Sequence, residues 1–578
     1  MNAEQLLALY EKVAEAPDAI TRLRRFVLDL AVRGKLVPPE PGDEPASELL
    51  KRIAAEKAQL VTAGEIRKSR EKADLSGENP HELPDKWIWV PFGELHYLVR
   101  GVTYSKADVS ETTSAGFVPI LRATNIGSTL THDDPVYVKS DRVSPDQYLR
   151  RGDYLIALSS GSKNLVGKAA LVPDDFNEAF GGFCGVVRLF DPSLVGFVGV
   201  FLSSDLYRDS ISAGSRGIGI NNLKKEVLAN LHFPLPPLAE QRRIVAKVEE
   251  LMALLDRLEA ACTVRETTRD QLTAASLARL TAPDADPAEF PANARFALAT
   301  LPALTTRADQ IKPLRQTILN LAVRGKLVDQ DPTDEPASEL FKRINALKVK
   351  NVEPSEMKRA ARFAAQRDVP PFELPQTWLG VCLREIAYNL GDGLHGTPDY
   401  SSDGECFFIN GNNLRDGSIE IYENTKRVSA QERAKHEKRL SENTVLVSIN
   451  GTLGNVAFYR GEPVILGKSA CYFELSPLVL KEYVKLLIHS PYFMEYAFYS
   501  ATGTTIKNLS LKAMNTFPVP LPPLAEQHRI VAKVDALMAL CDRLEAALTT
   551  ADTTRTRLLA ALLHEALAPA ARAMAAAE

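Results

Sequence analysis

The chain has 578 residues, of which 45% are hydrophobic and 25% are charged, a composition typical of a globular protein with roughly three or four domains. Its formal net charge is −4, so any contact with nucleic acid must depend on local positive charge or on a partner protein. The six cysteines form no C-x-x-C pair and no apolar stretch reaches the length of a membrane span, so we expect a soluble cytoplasmic protein without a zinc site, a disulfide framework or a transmembrane helix.

The N-terminal region, residues 1–82, is predicted to be a helical arm. A helix with one apolar face is expected up to Val32, and Gly34 suits its C-terminal cap. A second helix is expected from Glu44 through Ala58, followed by a charged helical stretch to about residue 72. The acidic DEPASEL segment beside RGKL would repel phosphate, so we expect this arm to bind a protein rather than DNA.

Residues 83–233 are predicted to form a separate globular domain. They open with LPDKWIWV and continue with short β-like runs, separated by turns rich in Gly, Asn, Asp and Ser. They close with a Gly/Ser loop and a short helix. This mixture predicts an α+β domain with a mainly antiparallel sheet.

A long helix is predicted to begin near residue 238, in a central region of residues 234–373. Pro236 and Pro237 precede it, and Glu240 lies in its first turn, where a carboxylate is favourable. Apolar residues then alternate at spacings of four and three, which is typical of a coiled-coil seam. The pattern continues to about Leu280, a rod of roughly 60 Å. The predicted seam positions are Ile244, Val248, Leu251, Leu255 and Leu258, with Ile530, Val534, Leu537, Cys541 and Leu544 in a second copy.

Two long phrases occur twice in the chain. Residues 23–53 return as residues 314–344, both containing LAVRGKLV, and residues 234–261 return as residues 520–547, both beginning PLPPLAEQ. The whole module is therefore repeated, with a second globular domain at 374–517 and a C-terminal conserved helix at 518–578. The charged helical stretch also returns, at 342–367.

The order of these parts predicts a ring-like arrangement. The middle of the chain holds one complete conserved helical unit, and each end holds half of another. We therefore expect the two ends to meet and the chain to have a pseudo-two-fold axis, like a symmetric dimer fused into one polypeptide. The two long helices are expected to pack antiparallel about that axis as a coiled coil.

Polar loop residues occur at matching places in the two globular domains, although their identities differ. Asn can read adenine, Arg can read guanine, and Ser, Thr and Lys can hold phosphates. Asn-Gly and Ser-Gly pairs also form ordinary turns, so each position has a structural alternative. The candidate DNA-contacting residues are Arg122, Thr124, Asn125, Ser160, Ser162, Lys163, Asn164, Ser215, Arg216, Asn410, Asn412, Asn413, Asn450, Thr452, Thr505, Lys507 and Asn508.

Motifs of catalysis are not found in the sequence. It contains no Walker phosphate loop, no H-E-x-x-H and no nucleophile elbow, and GSRGIGI lacks the βαβ context of a dinucleotide site. The string nearest to an adenine methyltransferase motif, DVPPF, has Val369 inserted and lies in a linker. We expect no catalytic residue, no metal site and no cofactor on this chain.

The PLPPLAEQ helix at the end of each globular domain, the LAVRGKLV arm and the LP-x-x-W opening closely resemble the specificity subunit of type I restriction–modification systems, over essentially the whole chain. The resemblance implies two target-recognition domains, each reading one half of a split DNA site. It also implies that the conserved helices dock two methylation subunits, which nuclease subunits join. Adenine N6 methylation with S-adenosylmethionine, and cleavage driven by ATP with Mg, would belong to those partners.

Two alternatives remain open at this point. One is a divergent methyltransferase or nuclease, and the other is a specificity-like scaffold of another defence system. Methylation by the purified chain alone would favour the first, and salt-sensitive, sequence-selective DNA binding that needs the methylation subunit would disfavour the second.

Overall fold

The computed structural model describes residues 3–66, 75, 78–162, 165–214, 221–281, 289–366, 369–503 and 506–567. The chain divides into two compact units. Unit 1 comprises Met1–Val264 together with Asp552–Glu578, and unit 2 comprises Arg265–Ala551. The described residues from Asp552 to Leu567, which come last in the chain, therefore belong with the N-terminal unit.

The helices of unit 1 lie in the arm, late in the globular domain and in the first long helix. They are α1 (Ala3–Val13), α2 (Ala19–Val32), α3 (Ala46–Thr62), α4 (Val195–Ser203), α5 (Asp205–Gly214), α6 (Lys225–Ala229) and the first part of α7 (Leu238–Thr281). The predicted arm helices are confirmed. Gly34 follows α2 with a φ of +67°, a conformation that glycine adopts without strain.

The strands of unit 1 all come from its globular domain. They are β1 (Ile88–Pro91), β2 (His96–Arg100), β3 (Val109–Ser110), β4 (Phe117–Leu121), β5 (Val136–Lys139), β6 (Tyr154–Ala157), β7 (Ser159–Ser160), β8 (Ala169–Leu171), β9 (Ala179–Phe180), β10 (Cys184–Leu189), β11 (Asn221–Asn222) and β12 (His232–Leu235). One four-stranded sheet has the order β2-β10-β6-β8 and the other β3-β5-β4-β9, while β1 pairs with β12 and β7 with β11. Every pairing is antiparallel except that of β4 with β9.

Unit 2 repeats this plan. Its helices are the end of α7, α8 (Phe290–Leu304), α9 (Ile311–Val323), α10 (Ala337–Asn351), α11 (Pro354–Ala364), α12 (Leu383–Ile386), α13 (Ala430–His436), α14 (Lys481–His489), α15 (Pro491–Ser500), α16 (Leu511–Thr516) and the first part of α17 (Leu524–Leu567). Its strands are β13 (Leu379–Cys382), β14 (Ala387–Asp392), β15 (Cys406–Ile409), β16 (Leu414–Arg415), β17 (Ser418–Ile419), β18 (Arg427–Val428), β19 (Thr444–Ser448), β20 (Val456–Phe458), β21 (Val464–Leu466), β22 (Ala470–Leu475) and β23 (Pro518–Leu521).

The two globular domains share a strand framework. In unit 2 the four-stranded sheet has the order β14-β22-β19-β20, a second sheet has the order β18-β15-β21, and β13 pairs with β23 and β16 with β17. Again one pairing, that of β15 with β21, is parallel. The predicted α+β class with a mainly antiparallel sheet is confirmed for both domains.

The charged helix predicted over 342–367 is wrong in one respect. It is broken between Asn351 and Pro354, where α10 ends and α11 begins. Proline disfavours helical backbone in the residue before it and is well suited to the first turn of a new helix. In the first copy the helix is also shorter than predicted: α3 ends at Thr62, Gly64 has a φ of +76°, and residues 67–72 lie outside the described residues.

The seam residues of the long helices pack against the arm helices of their own unit. On α7, Ile244, Leu251 and Leu255 are fully buried in an apolar cluster that includes residues of α2. Val248 is also buried, and Leu258 is half-buried against the same cluster. The apolar stripe therefore covers the arm helix, and pairing of α7 with α17 as a coiled coil stays a prediction.

The stripe on α17 packs in the same way against α9. Ile530, Val534 and Cys541 are buried in a cluster with residues of α9, and Leu537 is half-buried beside it. Leu544, by contrast, remains 39% exposed. Ion pairs flank the two interfaces at corresponding places: Arg24 pairs with Asp256 and Glu259, and Arg315 pairs with Asp542 and Glu545.

The end of α17 packs on the N-terminal segment within unit 1. Leu559 is fully buried in a cluster with Ala16 and Ala19, and Arg555 forms an ion pair with Glu15 at 2.5 Å. The two ends of the described chain are thus in contact, as the halved phrases at the termini predict. Among the helices that the structure describes, none is long and apolar enough to cross a membrane.

Candidate nucleic-acid interface

The first group of candidate residues lies on a short 3-10 turn that follows β4 in unit 1 and β15 in unit 2. Asn125 accepts a hydrogen bond from the backbone N–H of Arg122 at 2.8 Å and donates from Nδ2 to the carbonyl of Asp133 at 2.7 Å. Asn413 accepts from the N–H of Asn410 at 3.0 Å and donates to the carbonyl of Glu420 at 2.9 Å. These bonds close the same turn in both domains.

The burial of these two amides identifies their role. Asn125 is 3% exposed and Asn413 is 4% exposed, and both polar atoms of each are used within the domain. Buried polar groups that are fully hydrogen-bonded hold a local conformation. In this conformation the two asparagines shape the turn, which is the structural alternative to DNA contact.

The neighbouring positions on the same turn face solvent. Thr124 and Asn412 are exposed. Arg122 is half-exposed and pairs with the exposed Asp134, Nη2 to Oδ2, at 2.7 Å, and Asn410 accepts from Ser469 Oγ at 2.9 Å. The exposed positions of the turn therefore carry different chemistry in the two domains.

The second and third groups of candidates, which are far apart in sequence, meet in unit 2; in unit 1 the second group pairs with Asn221–Asn222, a short strand that follows the third group in sequence. In unit 1, β7 pairs with β11, so that Ser160 lies opposite Asn221. Ser162, which is exposed, donates its backbone N–H to Ser160 Oγ at 3.2 Å. The two loops are thus joined through backbone pairing, which gives a fixed platform for the side chains beside it.

Unit 2 joins the corresponding loops with an isolated bridge between Asn450 and Asn508. Lys507 accepts a hydrogen bond at its carbonyl from Gly451 N–H, at 2.9 Å. Thr452 and Asn508 are exposed, while Asn450 and Lys507 are half-buried. The remaining candidates, which are Lys163, Asn164, Ser215, Arg216 and Thr505, lie outside the described residues.

A tight turn leads into β10 in unit 1 and into β22 in unit 2, and it links these groups. We call it the central turn; it comprises residues 181–184 in unit 1 and 467–470 in unit 2. Its ends are closed by a hydrogen bond from Cys184 N–H to the Gly181 carbonyl at 2.8 Å, and from Ala470 N–H to the Gly467 carbonyl at 3.0 Å. This is the i to i+3 bond of a β-turn.

The backbone of the central turn is held by the strands around it in unit 1. Gly181 N–H donates to the carbonyl of Leu121, at the end of β4, at 2.9 Å. The carbonyl of Phe183 accepts from the N–H groups of Leu158 and Ser159 at 2.9 and 3.0 Å. The turn therefore lies between the first and second groups of candidates.

Unit 2 holds its central turn by the same bonds. Gly467 N–H donates to the carbonyl of Ile409 at 2.8 Å, and the carbonyl of Ser469 accepts from Ile449 N–H at 3.0 Å. Gly411, on the 3-10 turn, donates its N–H to Ser469 Oγ at 2.9 Å. All three groups of candidates in unit 2 therefore adjoin one another around the end of β19.

The middle residues of the central turn are not among the candidates predicted from the sequence. Phe183 is 70% exposed and Lys468 is exposed, at a place where small and turn-forming residues are usual. Phe498, Tyr499 and Ile506, near the bridge of unit 2, are 53%, 93% and 62% exposed. The available signal was a large side chain between turn formers, GGFCG in one domain and GKSAC in the other.

A buried Trp–Glu contact connects each globular domain to its long helix. Trp87 Nε1 donates to Glu240 Oε2 at 3.0 Å, and Trp378 Nε1 donates to Glu526 Oε2 at 2.9 Å. Burial raises the pKa of both carboxyls, and the indole hydrogen bond opposes that rise. The contact fixes the start of the helix against the first strand of the domain.

An ion pair beside each contact joins the arm to the same helix. Arg243 Nη2 lies 2.5 Å from Asp43 Oδ2, and Arg529 Nη2 lies 2.7 Å from Asp334 Oδ2. The hydrogen bond from Arg243 lowers the pKa of Asp43. Arm, domain and long helix are therefore fastened at one point in each unit.

Among the residues that the structure describes, no group of three or more His, Cys, Asp or Glu side chains is arranged to hold a metal ion. The chemistry available at the loops is that of contact, with amides, hydroxyls, a lysine and an exposed aromatic ring on backbone fixed by hydrogen bonds. Such groups suit recognition of base edges and phosphates.

Comparison with known proteins gives consistent matches over the chain. The family described as "Type I restriction modification DNA specificity domain" matches residues 84–263 and 397–551. The specificity subunit of the type I restriction enzyme EcoAI of Escherichia coli is 31% identical over 579 residues, covering 95% of this chain and 94% of that protein. The EcoEI specificity subunit of Escherichia coli is 30% identical over 576 residues, with the same coverage. The solved HsdS subunit from Thermoanaerobacter tengcongensis is 21% identical, covering 85% of this chain and 98% of that chain, with a TM-score of 0.40.

Proposed function

Since this chain belongs to the family of type I restriction–modification DNA specificity subunits, we propose that residues 83–233 and 374–517 are two target-recognition domains, each of which reads one half of a split DNA site. The chain is a DNA sequence-recognition subunit, and the proposal concerns how its parts divide that task. One observation carries it: the two domains share a strand order and a loop framework, yet expose different side chains on it.

The same observation predicts an asymmetric target. Equal frameworks present their loops in equivalent ways, so each domain meets DNA with the same geometry. Different exposed groups, such as Thr124 and Asn412, form different contacts with bases. The two half-sites should therefore differ in sequence, and the full site should not be palindromic.

The long helices are proposed to set the distance between the half-sites. Each of α7 and α17 has 44 residues, a length of roughly 65 Å at the α-helical rise. We propose that the repeated module is arranged about a pseudo-two-fold axis, with α7 and α17 as antiparallel rods. That symmetry presents the two domains to opposite DNA strands, with half-site centres about 34 Å apart on one face.

The conserved helices are also proposed to dock the catalytic partners. Two methylation subunits would bind, one for each repeat, and nuclease subunits would join through them. The proposal assigns adenine N6 methylation with S-adenosylmethionine, and cleavage driven by ATP and Mg, to those subunits, with this chain taking no catalytic role. We place the assembly in the cytoplasm, where it meets both invading and chromosomal DNA.

The direct test is to co-express the chain with its methylation subunit and to map N6-methyladenine across the host genome. We expect a bipartite motif with two unlike halves and one methylated adenine on each strand. Replacing residues 83–233 with the corresponding domain of another specificity subunit should exchange one half and leave the other half and the gap unchanged.

The control is a replacement of residues 374–517, which should exchange the other half instead. A continuous motif in the wild type, or a single exchange that changes both halves, would contradict the division of the site between two domains. Methylation by the purified chain without its partner would contradict the assignment of catalysis.

A further inference from the structure

We propose that the central turn is a specificity-determining element of each recognition domain, with Phe183 contacting a base in one half-site and Lys468 donating to a base in the other. The inference rests on the proposed function, since it assumes that each domain reads one half-site. It goes beyond that function by naming a turn and the two side chains that distinguish the halves.

The backbone of the central turn is held rigidly in both domains. In unit 1, Val102 N–H donates to the carbonyl of Phe180 at 2.7 Å, and in unit 2 Leu394 N–H donates to the carbonyl of Leu466 at 2.7 Å. With the bonds described above, each turn is fastened to three neighbouring segments and closed on itself. A side chain on such a turn is presented with little loss of backbone entropy on binding.

Another backbone segment approaches the central turn closely in both domains. A Cβ on Gly101 would lie 2.1 Å from the carbonyl oxygen of Gly181, and one on Gly393 would lie 2.0 Å from that of Leu466. Only glycine allows this approach. Both domains therefore keep the same backbone path at this point, although the residues displayed on it differ.

The displayed residues differ in chemistry. The middle of the turn is Gly182 and Phe183 in unit 1, and Lys468 and Ser469 in unit 2. An exposed aromatic ring can stack on a base or cover a thymine methyl group, and an ammonium can donate to the O6 and N7 acceptors of guanine. The two turns thus offer unlike readers at adjacent positions, because Lys468 corresponds to Gly182 and Phe183 to Ser469.

Their surroundings agree with contact to DNA. Ser469 bonds to both Asn410 and Gly411, so the turn of unit 2 is continuous with the polar residues on the 3-10 turn. In unit 1, the carbonyl of Phe183 is bonded to Ser159, beside Ser160. Hydroxyl and amide groups next to a central reader are suited to hold phosphates and fix its register.

The test uses the full chain co-expressed with its methylation subunit, comparing wild type, Phe183→Ala, Lys468→Ala and the control Leu171→Ala. Leu171 is 40% exposed in the same domain as Phe183 but pairs with Tyr154, at the far end of β6 from the turn. Methylation motifs are mapped genome-wide, and binding is measured by titration of duplexes that carry single changes in one half-site.

Phe183→Ala should weaken binding to the cognate duplex roughly tenfold and relax at least one position of a single half-site. Lys468→Ala should relax a position in the other half-site, and Leu171→Ala should leave both unchanged. Because Phe183 and Lys468 are exposed, both variants should fold and assemble, which the thermal unfolding temperature and size-exclusion elution check.

A variant that introduces a new contact tests the proposal without relying on a loss of binding. A Cβ on Gly182 would lie 3.4 Å from Thr103 Oγ1 and from the Val102 carbonyl, which is ordinary contact, so a side chain fits there. Gly182→Lys with Phe183→Ser places the unit 2 readers on the unit 1 turn. This variant should change the preferred base in the first half-site and leave the second half-site as it is.

The outcomes separate this inference from the proposed function. If the wild-type motif is bipartite but Phe183→Ala and Leu171→Ala read both halves like wild type, the turn is not a reader and the inference is overturned. The same holds for unit 2 if Lys468→Ala weakens binding equally for all sequences, which indicates a phosphate contact. If the wild-type motif is not bipartite, the proposed function itself has failed.

Discussion

Replacing Trp87 with Phe should destabilise unit 1 more than replacing Trp378 with Phe destabilises unit 2. Glu240 is 2% exposed, and its Oε1 has no hydrogen-bond partner among the described residues, so Trp87 Nε1 provides the bond at Oε2. Glu526 is 1% exposed, but Gln330 Nε2 donates to its Oε1 at 2.6 Å. Only Trp87→Phe leaves a buried carboxylate with neither oxygen bonded to a side chain.

The magnitudes follow from this difference. Each variant loses part of the volume of the indole and one hydrogen bond to a carboxylate. We expect these two losses together to lower the free energy of unfolding by about 1–2 kcal/mol in either variant. Leaving a buried acceptor without a partner adds about 1–3 kcal/mol, and this cost applies at Glu240 alone. We therefore expect Trp87→Phe to cost about 2–5 kcal/mol in total, and Trp378→Phe about 1–2 kcal/mol.

The loss of stability caused by Trp87→Phe should depend on pH. Because the Trp87 hydrogen bond holds the pKa of Glu240 down against burial, its loss raises that pKa further. A carboxyl whose pKa is higher in the folded than in the unfolded state loses stability as pH rises through that interval. The cost of Trp87→Phe should therefore grow as pH rises above the ordinary carboxyl value of 4.5, and should shrink toward and below it.

Hydrogen exchange followed by mass spectrometry measures the two units separately, which a single unfolding curve of a chain with two units does not. The opening free energy is compared for peptides of β12 and the first turns of α7, and for β23 and the first turns of α17. Adding Glu240→Gln to Trp87→Phe removes the charge and should remove the pH dependence. Equal costs for the two Trp variants, or a cost for Trp87→Phe that does not change with pH, would refute the reasoning.

Three further predictions concern the frame and the loops. Asp153→Asn should lower the free energy of unfolding, measured in urea, by about 3 kcal/mol. Asp153 is 1% exposed, and its two oxygens accept hydrogen bonds from the buried Arg188 at 2.7 and 2.6 Å. The variant leaves the charge of that arginine without a carboxylate partner. Leu251→Ala should lower the opening free energy of unit 1 by about 3 kcal/mol, and Leu537→Ala that of unit 2 by about half as much, because only Leu251 is fully buried; equal losses by hydrogen exchange in the two units would contradict this. Asn413→Ala should lower the unfolding temperature, whereas the exposed Asn412→Ala should leave that temperature unchanged and alter only the methylated motif.

The sequence predicted the helices well because their signals are local. The long helix expected to run from about 238 to 280 is observed as Leu238–Thr281, since proline, an acidic first turn and a regular apolar stripe all lie within the segment itself. The apolar stripe does not show which helix packs against it. Leu251 packs in a cluster with α2, and no periodicity distinguishes an arm helix from another long helix as the partner.

The loops were less predictable because their arrangement depends on tertiary pairing. Ser160 and Asn221 are brought together by β7 and β11, which are strands of two residues without a hydropathy pattern of their own. The role of Asn125 depended on the carbonyl of Asp133 lying within reach, which the sequence does not reveal. The middle of the central turn was missed because the sequence does not show whether a large side chain between turn-forming residues, as in GGF and GKS, is exposed or buried.

In the proposed function, the physical separation of frame and reader explains how one module can serve two half-sites. The residues that repeat with their contacts, such as Trp87 and Asn125, are buried and hydrogen-bonded, so changes at them are costly in stability. The residues that differ, such as Phe183 and Lys468, lie on exposed turns, where substitutions usually change stability by less than about 0.5 kcal/mol. Specificity can therefore change in one domain without weakening the fold of that domain or altering the other domain, and a duplicated frame is free to hold two unlike readers.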